Sequence, residues 1–426
     1  MFEWSETDIL IRDAIREFID KEIRPQLDEL ESGRLAPYDI IRKLFASFGV
    51  DALAGDAVKQ LLEKQRAKQA AIAAGEQPAE QEKSSGGGSP FGGQEAMGVI
   101  AISELAGVSL GIVASIGVSL GLTAGTIASR GTLAQRERWL PKLATFEHVG
   151  AWAITEPDSG SDAFGGMKTY VKRDPDNPAG YVLNGQKTFI TNGPDADVIV
   201  VYAKLHDAAE GHDIDSRDRK VLAFVLEKGM PGLTQGKAFK KMGMMSSPTG
   251  ELFFDNVKLG KDRLLGESEA QQSGDGRESA RESFTAERVG VAALSLGIIN
   301  ECHRLCVEYA NSRTLWGQEI GRFQLVQLKL AKMEVARLNV QNMVFRTIEM
   351  MRAGQRPTLA EASAMKLYSS EAATEVAMEA VQLFGGNGYM AEYRVEQLAR
   401  DAKSLMIYAG SNEIQVTHIA KGLLGG

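Results

Sequence analysis

The chain has 426 residues, a net charge of −8, and 44% hydrophobic and 24% charged residues. These are ordinary values for a globular protein, and the length leaves room for two or three domains. The acidic balance excludes nucleic acid as the main partner, because a phosphate backbone needs a basic surface, but it permits a local basic pocket for a phosphate-bearing small molecule. The two cysteines, Cys302 and Cys306, lie one helical turn apart with His303 between them. A metal site there would have three donors, with His303 off the cysteine face; two reduced thiols on a packed helix, in a reducing compartment, is the plainer arrangement.

In chain order, residues 5–49 read as helices, with Ile9, Ile11, Ile15, Phe18 and Ile19 forming an apolar face. No secretory signal precedes them. Residues 55–95 are rich in Ala, Gln, Lys and Glu and then run through Ser84–Pro90, the pattern of an exposed helix leading into a flexible linker. From Leu105 to Ser129 there is no charged residue, and glycines recur at 107, 111, 117, 121 and 125. That length would span a bilayer. Serine, threonine and glycine dilute its hydrophobicity and no second such segment follows, so buried helices with a break between them are expected, and no membrane span.

After Gly150 the pattern changes to strands. Tyr181–Lys187 reads as strand and turn, with Asn184-Gly185 at the turn. Val198–Ala203 and Val221–Leu226 read as buried strands joined by a charged loop from Asp207 to Lys220, and Leu252–Val257 reads as another strand. From about Glu278 helical patterns run nearly to the end. The expected architecture is α+β and multidomain: a helical domain over 1–149 with an atypical insertion at 55–95, a β-barrel or sandwich domain over 150–276, and a four-helix domain over 277–426.

Four segments carry chemistry. Trp152–Asp162 is a loop dense in hydroxyls, Gly and Pro, whose amides and hydroxyls can take phosphate oxygens or polar ring atoms, or form an ordinary turn. Lys187–Gly193 places Phe189 two residues from Thr191, on one face of a strand, as an aromatic wall beside a planar ring would require; core packing is the plain alternative. Gln382–Tyr389 holds three glycines, which admit a ligand close to the backbone or stop a helix. Arg400–Lys403 is followed by Ile407–Gln415, in which Ser411 can cap a helix whose amides face a phosphate or thioester.

Together, in this order and setting, these segments resemble the acyl-CoA dehydrogenase family over nearly the whole chain except 55–95. The resemblance implies an N-terminal helical, a middle β and a C-terminal four-helix domain, non-covalent FAD and a homotetramer. It implies that Trp152, Ile154, Thr155, Gly160 and Ser161 line the flavin, with Ser161 also near CoA. Phe189 stands where the family usually has a Trp against the flavin, beside Ile190, and Thr191 matches the residue bonding flavin N5. Arg313, Gln324, Gln382, Leu383, Phe384, Gly385 and Gly386 match positions that hold the ADP half of FAD across a subunit boundary, and Ser411, Asn412 and Glu413 match further FAD contacts.

The reaction needs a base for the α-proton of a thioester, and the family uses a glutamate. In most members it directly precedes the Gly of the last motif, where this chain has Ala409 before Gly410. Members resembling isovaleryl- and long-chain acyl-CoA dehydrogenases carry it earlier, just before an Arg, and Glu287 in Phe284-Thr285-Ala286-Glu287-Arg288 matches that place. Gly290, Val291 and Leu294 put Glu287 on an apolar helix face, where desolvation should raise its pKa; a helix-start glutamate favoured by the macrodipole is the alternative. Phe284, Thr285, Arg288, Ala409 and Gly410 then line the substrate, and the Ala409 N–H faces the thioester carbonyl. The displaced base points to long or branched acyl chains. Electron-transferring flavoprotein is the expected acceptor; an acyl-CoA oxidase and a non-catalytic binding subunit are the rival readings. A bacterial cytoplasm is expected, although a processed mitochondrial-matrix enzyme would look the same.

Overall fold

The computed structural model describes residues 3–74, 95–206, 217–269 and 276–425. The expected Ser84–Pro90 linker and most of the Asp207–Lys220 loop therefore lie outside the described residues.

The N-terminal region is helical: α1 (Glu6–Phe18), α2 (Leu27–Glu31), α3 (Tyr38–Ser47), α4 (Val50–Ala73), α5 (Glu95–Ala106), α6 (Leu110–Ile116), α7 (Gly125–Arg130) and α8 (Leu133–Ala144). Ser5 opens α1 with a capping box closed by Asp8, and Thr132 does the same for α8 with Gln135. The break in the uncharged stretch falls between α5 and α6. From Leu110 to Arg130 the helix is continuous, through a π-wound turn at Gly117–Ala124. It is long and apolar enough to cross a membrane, yet 56% of its most apolar window is buried within the protein.

The middle region contains β1 (Gly150–Ala153), β2 (Tyr170–Asp174), β3 (Asn177–Thr191), β4 (Val198–Leu205), β5 (Val221–Glu227), β6 (Leu233–Gln235) and β7 (Thr249–Leu259). They form one seven-stranded sheet in the order β1-β4-β2-β3-β7-β6, with β5 also paired to β4. Every residue of β4 is buried. Ile199, Val201 and Ala203 face one apolar cluster, while Val198, Val200 and Tyr202 face the other, which includes Trp139, Leu140 and Leu143 of α8. This is the period-two alternation of a strand covered on both sides.

The expected turn at Asn184-Gly185 is corrected by the structure: β3 runs unbroken from Asn177 to Thr191 and shifts register against β7 between Leu183 and Gly185. The reason is steric. Gly185 has φ +141, and a Cβ there would sit 2.6 Å from Thr169 Oγ1, so the glycine serves a bulge where β2 and β3 approach closely.

The C-terminal region comprises α9 (Gly276–Ser312), a hairpin of β8 (Thr314–Leu315) and β9 (Gln318–Glu319), α10 (Gln324–Arg352), α11 (Leu359–Phe384), α12 (Val395–Leu405) and α13 (Asn412–Leu424). Trp316 and Gly317 turn the hairpin with φ +50 and +79, the positive pair that a tight two-residue turn demands. Cys302 and Cys306 are free and buried in the core shared by α9 and its neighbours, and His303 faces Glu334 of α10 at 3.3 Å.

Candidate active site

The loop after β1 is fixed by an internal ion pair. Lys187 of β3 is fully buried, and its Nζ donates to Glu156 Oε1 at 2.8 Å and to the Ile154 carbonyl at 2.9 Å. Glu156 also accepts from the Lys168 and Thr169 amides at 2.6 and 3.0 Å. The Thr188 amide donates to the Thr155 carbonyl at 2.9 Å. Residues 154–156 are thereby clamped to β3, with Gly160 and Ser161 exposed at the rim.

The strand carrying Phe189 is bulged. Register against β7 shifts between Lys187 and Ile190, and Phe189 takes φ +58. Lys187 and Thr188 are both buried, Phe189 is 66% exposed, and Ile190 is buried in the sheet core. Phe189 and Thr191 do lie on the more open side of Ile190, but Phe189 is turned out by the bulge and not by simple alternation. Its ring meets Phe239 at 5.9 Å. Ile190 offers only its backbone to any ligand.

Trp152 links the sheet to the helical domain. Its indole packs edge-on against Tyr202 at 5.0 Å and Phe284 at 5.7 Å, and its Nε1–H is buried with no acceptor among the described residues. One turn beyond Phe284 on α9 stands Glu287. It is partly buried, beside fully buried Val291 and partly buried Leu294, and it accepts no hydrogen bond from the described residues. Loss of water pushes its carboxyl up to about 7, against the pull of Arg288 and Lys366.

Arg288 is buried and reaches across to the loop between α12 and α13, where its Nε lies 3.4 Å from the Ala409 carbonyl. Gln415, fully buried on α13, donates to the Ala409 and Gly410 carbonyls at 3.2 and 2.6 Å. Ala409 is held at φ +57 and Gly410 at φ +83. A left-handed alanine costs roughly 1–2 kcal/mol, so the loop is over-determined by its contacts, as strained functional backbone usually is. The Ala409 N–H has no acceptor among the described residues. Ser411 stands at the N-cap of α13 but its hydroxyl makes no capping bond; it bonds the Glu413 carboxylate, which is lowered chiefly by a backbone hydrogen bond at the helix start.

The remaining predicted positions form a separate surface. Leu383 and Phe384 are buried, and Tyr309 stacks on Phe384 at 4.0 Å while its hydroxyl accepts from Asn387 Nδ2 at 3.0 Å. This brings the end of α9 to the 382–389 segment. Gly385 and Gly386 are exposed, and a Cβ at either would meet nothing within 4 Å. Arg313 and Gln324 are exposed on the two sides of the β8–β9 hairpin. Among the described residues, none of these is hydrogen-bonded to Glu287, Arg288 or Ala409. Sequence reasoning missed Lys187, Gln415 and Lys366, all buried polar residues inside otherwise regular elements.

The glycines of the uncharged stretch divide in two. A Cβ at Gly107 would lie 2.8 Å from the Gly297 carbonyl oxygen, and one at Gly111 2.2 Å from Ser246 Oγ, so these permit close packing. Gly117 and Gly121 meet nothing within 4 Å, and neither does Gly290, one turn from Glu287. Ile116 and Leu120 pack toward the helical core, Val118 and Leu122 toward the cluster containing Phe284, so Gly117 and Gly121 open between the two.

Three family models match the chain: the N-terminal domain of acyl-CoA dehydrogenase over residues 80–147, the middle domain over 151–257 and the C-terminal domain over 274–424. An acyl-CoA dehydrogenase of Bacillus subtilis (strain 168) is 34% identical over 418 residues, 98% of each chain. The chain belongs to the acyl-CoA dehydrogenase family. A mitochondrial isovaleryl-CoA dehydrogenase of Oryza sativa subsp. japonica is 36% identical over 324 residues, 76% of this chain and 75% of that one. The solved butyryl-CoA dehydrogenase of Megasphaera elsdenii superposes with a TM-score of 0.80 at 31% identity over 100% of both chains. Like its family, the protein is an oxidoreductase, and the family uses FAD. The residues here fit that cofactor. An indole N–H on Trp152 without an acceptor among the described residues, an outward aromatic at Phe189 and open backbone at Gly160, Gly385 and Gly386 offer the donor, wall and close approach that a ring system and its phosphates need.

Proposed function

We propose that the protein converts an acyl-CoA to the trans-2-enoyl-CoA, with Glu287 taking the α-proton. The observation that carries this reading is a partly buried Glu287 carboxylate, poised near neutrality and accepting no hydrogen bond from the described residues, next in sequence to the Arg288 that contacts the loop bearing the Ala409 N–H. A base working near pH 7 needs such a carboxyl. The thioester carbonyl accepts from Ala409 N–H, so the negative charge that grows as the α-proton leaves meets a preorganised donor. Arg288 and Gln415 hold that donor by fixing its loop.

Trp152, Thr155, Ser161, Phe189 and Thr191 would hold FAD non-covalently, and when bound it would supply the acceptor for the β-hydride. Arg313, Gln324, Gln382 and the 383–386 backbone, on a separate surface of one protomer, suit its ADP half when a second protomer closes over it. A homotetramer has further support from α10, where Leu325, Leu328, Val335 and Leu338 are 76, 53, 58 and 43% exposed along one stripe, the pattern of a helix that packs against another chain. Electron-transferring flavoprotein is the proposed electron acceptor. Two buried free thiols suit a reducing, cytoplasmic setting.

Open space at Gly117, Gly121 and Gly290 favours a long or branched acyl chain. An anaerobic titration of the FAD-loaded protein with short, branched, medium and long acyl-CoAs, followed by flavin absorbance, tests the reading. Bleaching by the long or branched class is expected; no bleaching by any class would overturn it.

A further inference from the structure

Lys366 of α11 is fully buried. Its Nζ donates to Asn412 Oδ1 at 2.7 Å, and among the described residues no carboxylate reaches ion-pair distance. A cation is therefore held in the protein interior by a neutral amide, an arrangement that costs stability unless its charge is used. Ser370 Oγ donates to the same Asn412 oxygen at 3.2 Å, and Asn412 Nδ2 reaches Glu371 Oε1 at 3.5 Å. Asn412 opens α13, directly after the loop bearing Ala409 and Gly410.

The charges that face Lys366 are Arg288 and Glu287 on α9, Glu413 on α13 and Glu371 on its own helix. Glu287, for its part, is faced by two cations, Arg288 and Lys366, and by the buried Tyr408 hydroxyl. Arg288 is turned toward the Ala409 carbonyl. Lys366 has no such task.

We propose that Lys366 is a positioning residue for the reaction: its ammonium, anchored by Asn412, holds Glu287 in the ionised, proton-accepting form and ties the base to the loop that faces the thioester. The inference rests on the reading of Glu287 as the base. A nearby cation favours a carboxylate over its acid, opposing the desolvation that drives Glu287 the other way. Burial pushes the Lys366 ammonium down to about 8, with Arg288 adding to the fall, and Glu287 stands at about 7.

The test is the pH profile of kcat/KM for the full-length, FAD-loaded wild type and the variants Lys366→Met, Lys366→Arg and Glu287→Gln. Methionine matches the unbranched stem, and Ser370 still satisfies Asn412, so the packing survives. In Lys366→Met the acidic limb should move up by about one pH unit, lowering activity at neutral pH about five-fold and restoring it at alkaline pH, while Lys366→Arg keeps the wild-type limb. If Lys366→Met does not fold, Lys366→Gln carries the same expectation. An unmoved limb, a loss equal at every pH, or the same shift in Lys366→Arg overturns the inference. Wild-type rate in Glu287→Gln would instead remove the base reading on which it stands.

Discussion

Two glutamates of this molecule, both withdrawn from water, have opposite fates. Glu156, at the clamp between the β1 loop and β3, accepts three hydrogen bonds, one of them from the Lys187 ammonium at 2.8 Å; although burial works against it, its carboxyl is held below the ordinary range. Glu287, on α9, accepts none from the described residues, and its carboxyl rises to about 7. Burial is common to both; the Lys187 charge, together with the hydrogen bonds to the ionised form, separates them. The first carboxylate is committed to structure. The second is left free to trade a proton.

The comparison breaks most visibly at the clamp. Glu156→Gln leaves Lys187 buried without its counter-charge, which should cost about 3–5 kcal/mol and lower the Tm measured by calorimetry. An unchanged Tm would mean that the pair does not fix the loop. The two sites should also give stability slopes of opposite sign. Glu156 has a lowered folded pKa, so its contribution is present above the unfolded carboxylate value and is lost as pH falls through the folded one. Glu287 has a raised folded pKa: the native state holds a proton that the unfolded chain releases, so stability declines as pH rises from 4.5 to about 7. Glu287→Gln should remove that decline, a gain of roughly 2–3 kcal/mol at neutral pH. Denaturant unfolding at several pH values checks it, and an unaltered slope would show that Glu287 is solvated.

Much of the fold is legible in the sequence because its signals are local and strong. The apolar runs at Val198 and Val221, the helix periodicity after Glu278 and the break in the uncharged stretch all depend on neighbours along the chain. The bulges at Gly185 and Phe189 do not, because each is set by a strand or helix far away in sequence. Asn-Gly carries a turn signal that the close approach of Thr169 overrides. In the candidate site, Glu287 is readable through the family resemblance, which makes the Ala at 409 informative and to which its apolar helix face adds. Lys187, Lys366 and Gln415 are hidden, since a polar residue in a regular element gives no sign of burial until its partners, 31, 46 and 6 residues away, are brought to it.

The most direct test of Glu287 as the base is the exchange of the substrate α-proton with deuterated solvent, followed by NMR on an acyl-CoA of the reactive class, in wild type and Glu287→Gln. Exchange should rise with pH around neutrality in the wild type and fall at least ~100-fold in the variant, with acyl-CoA still bound. Exchange at the wild-type rate in Glu287→Gln would contradict it and place the base elsewhere.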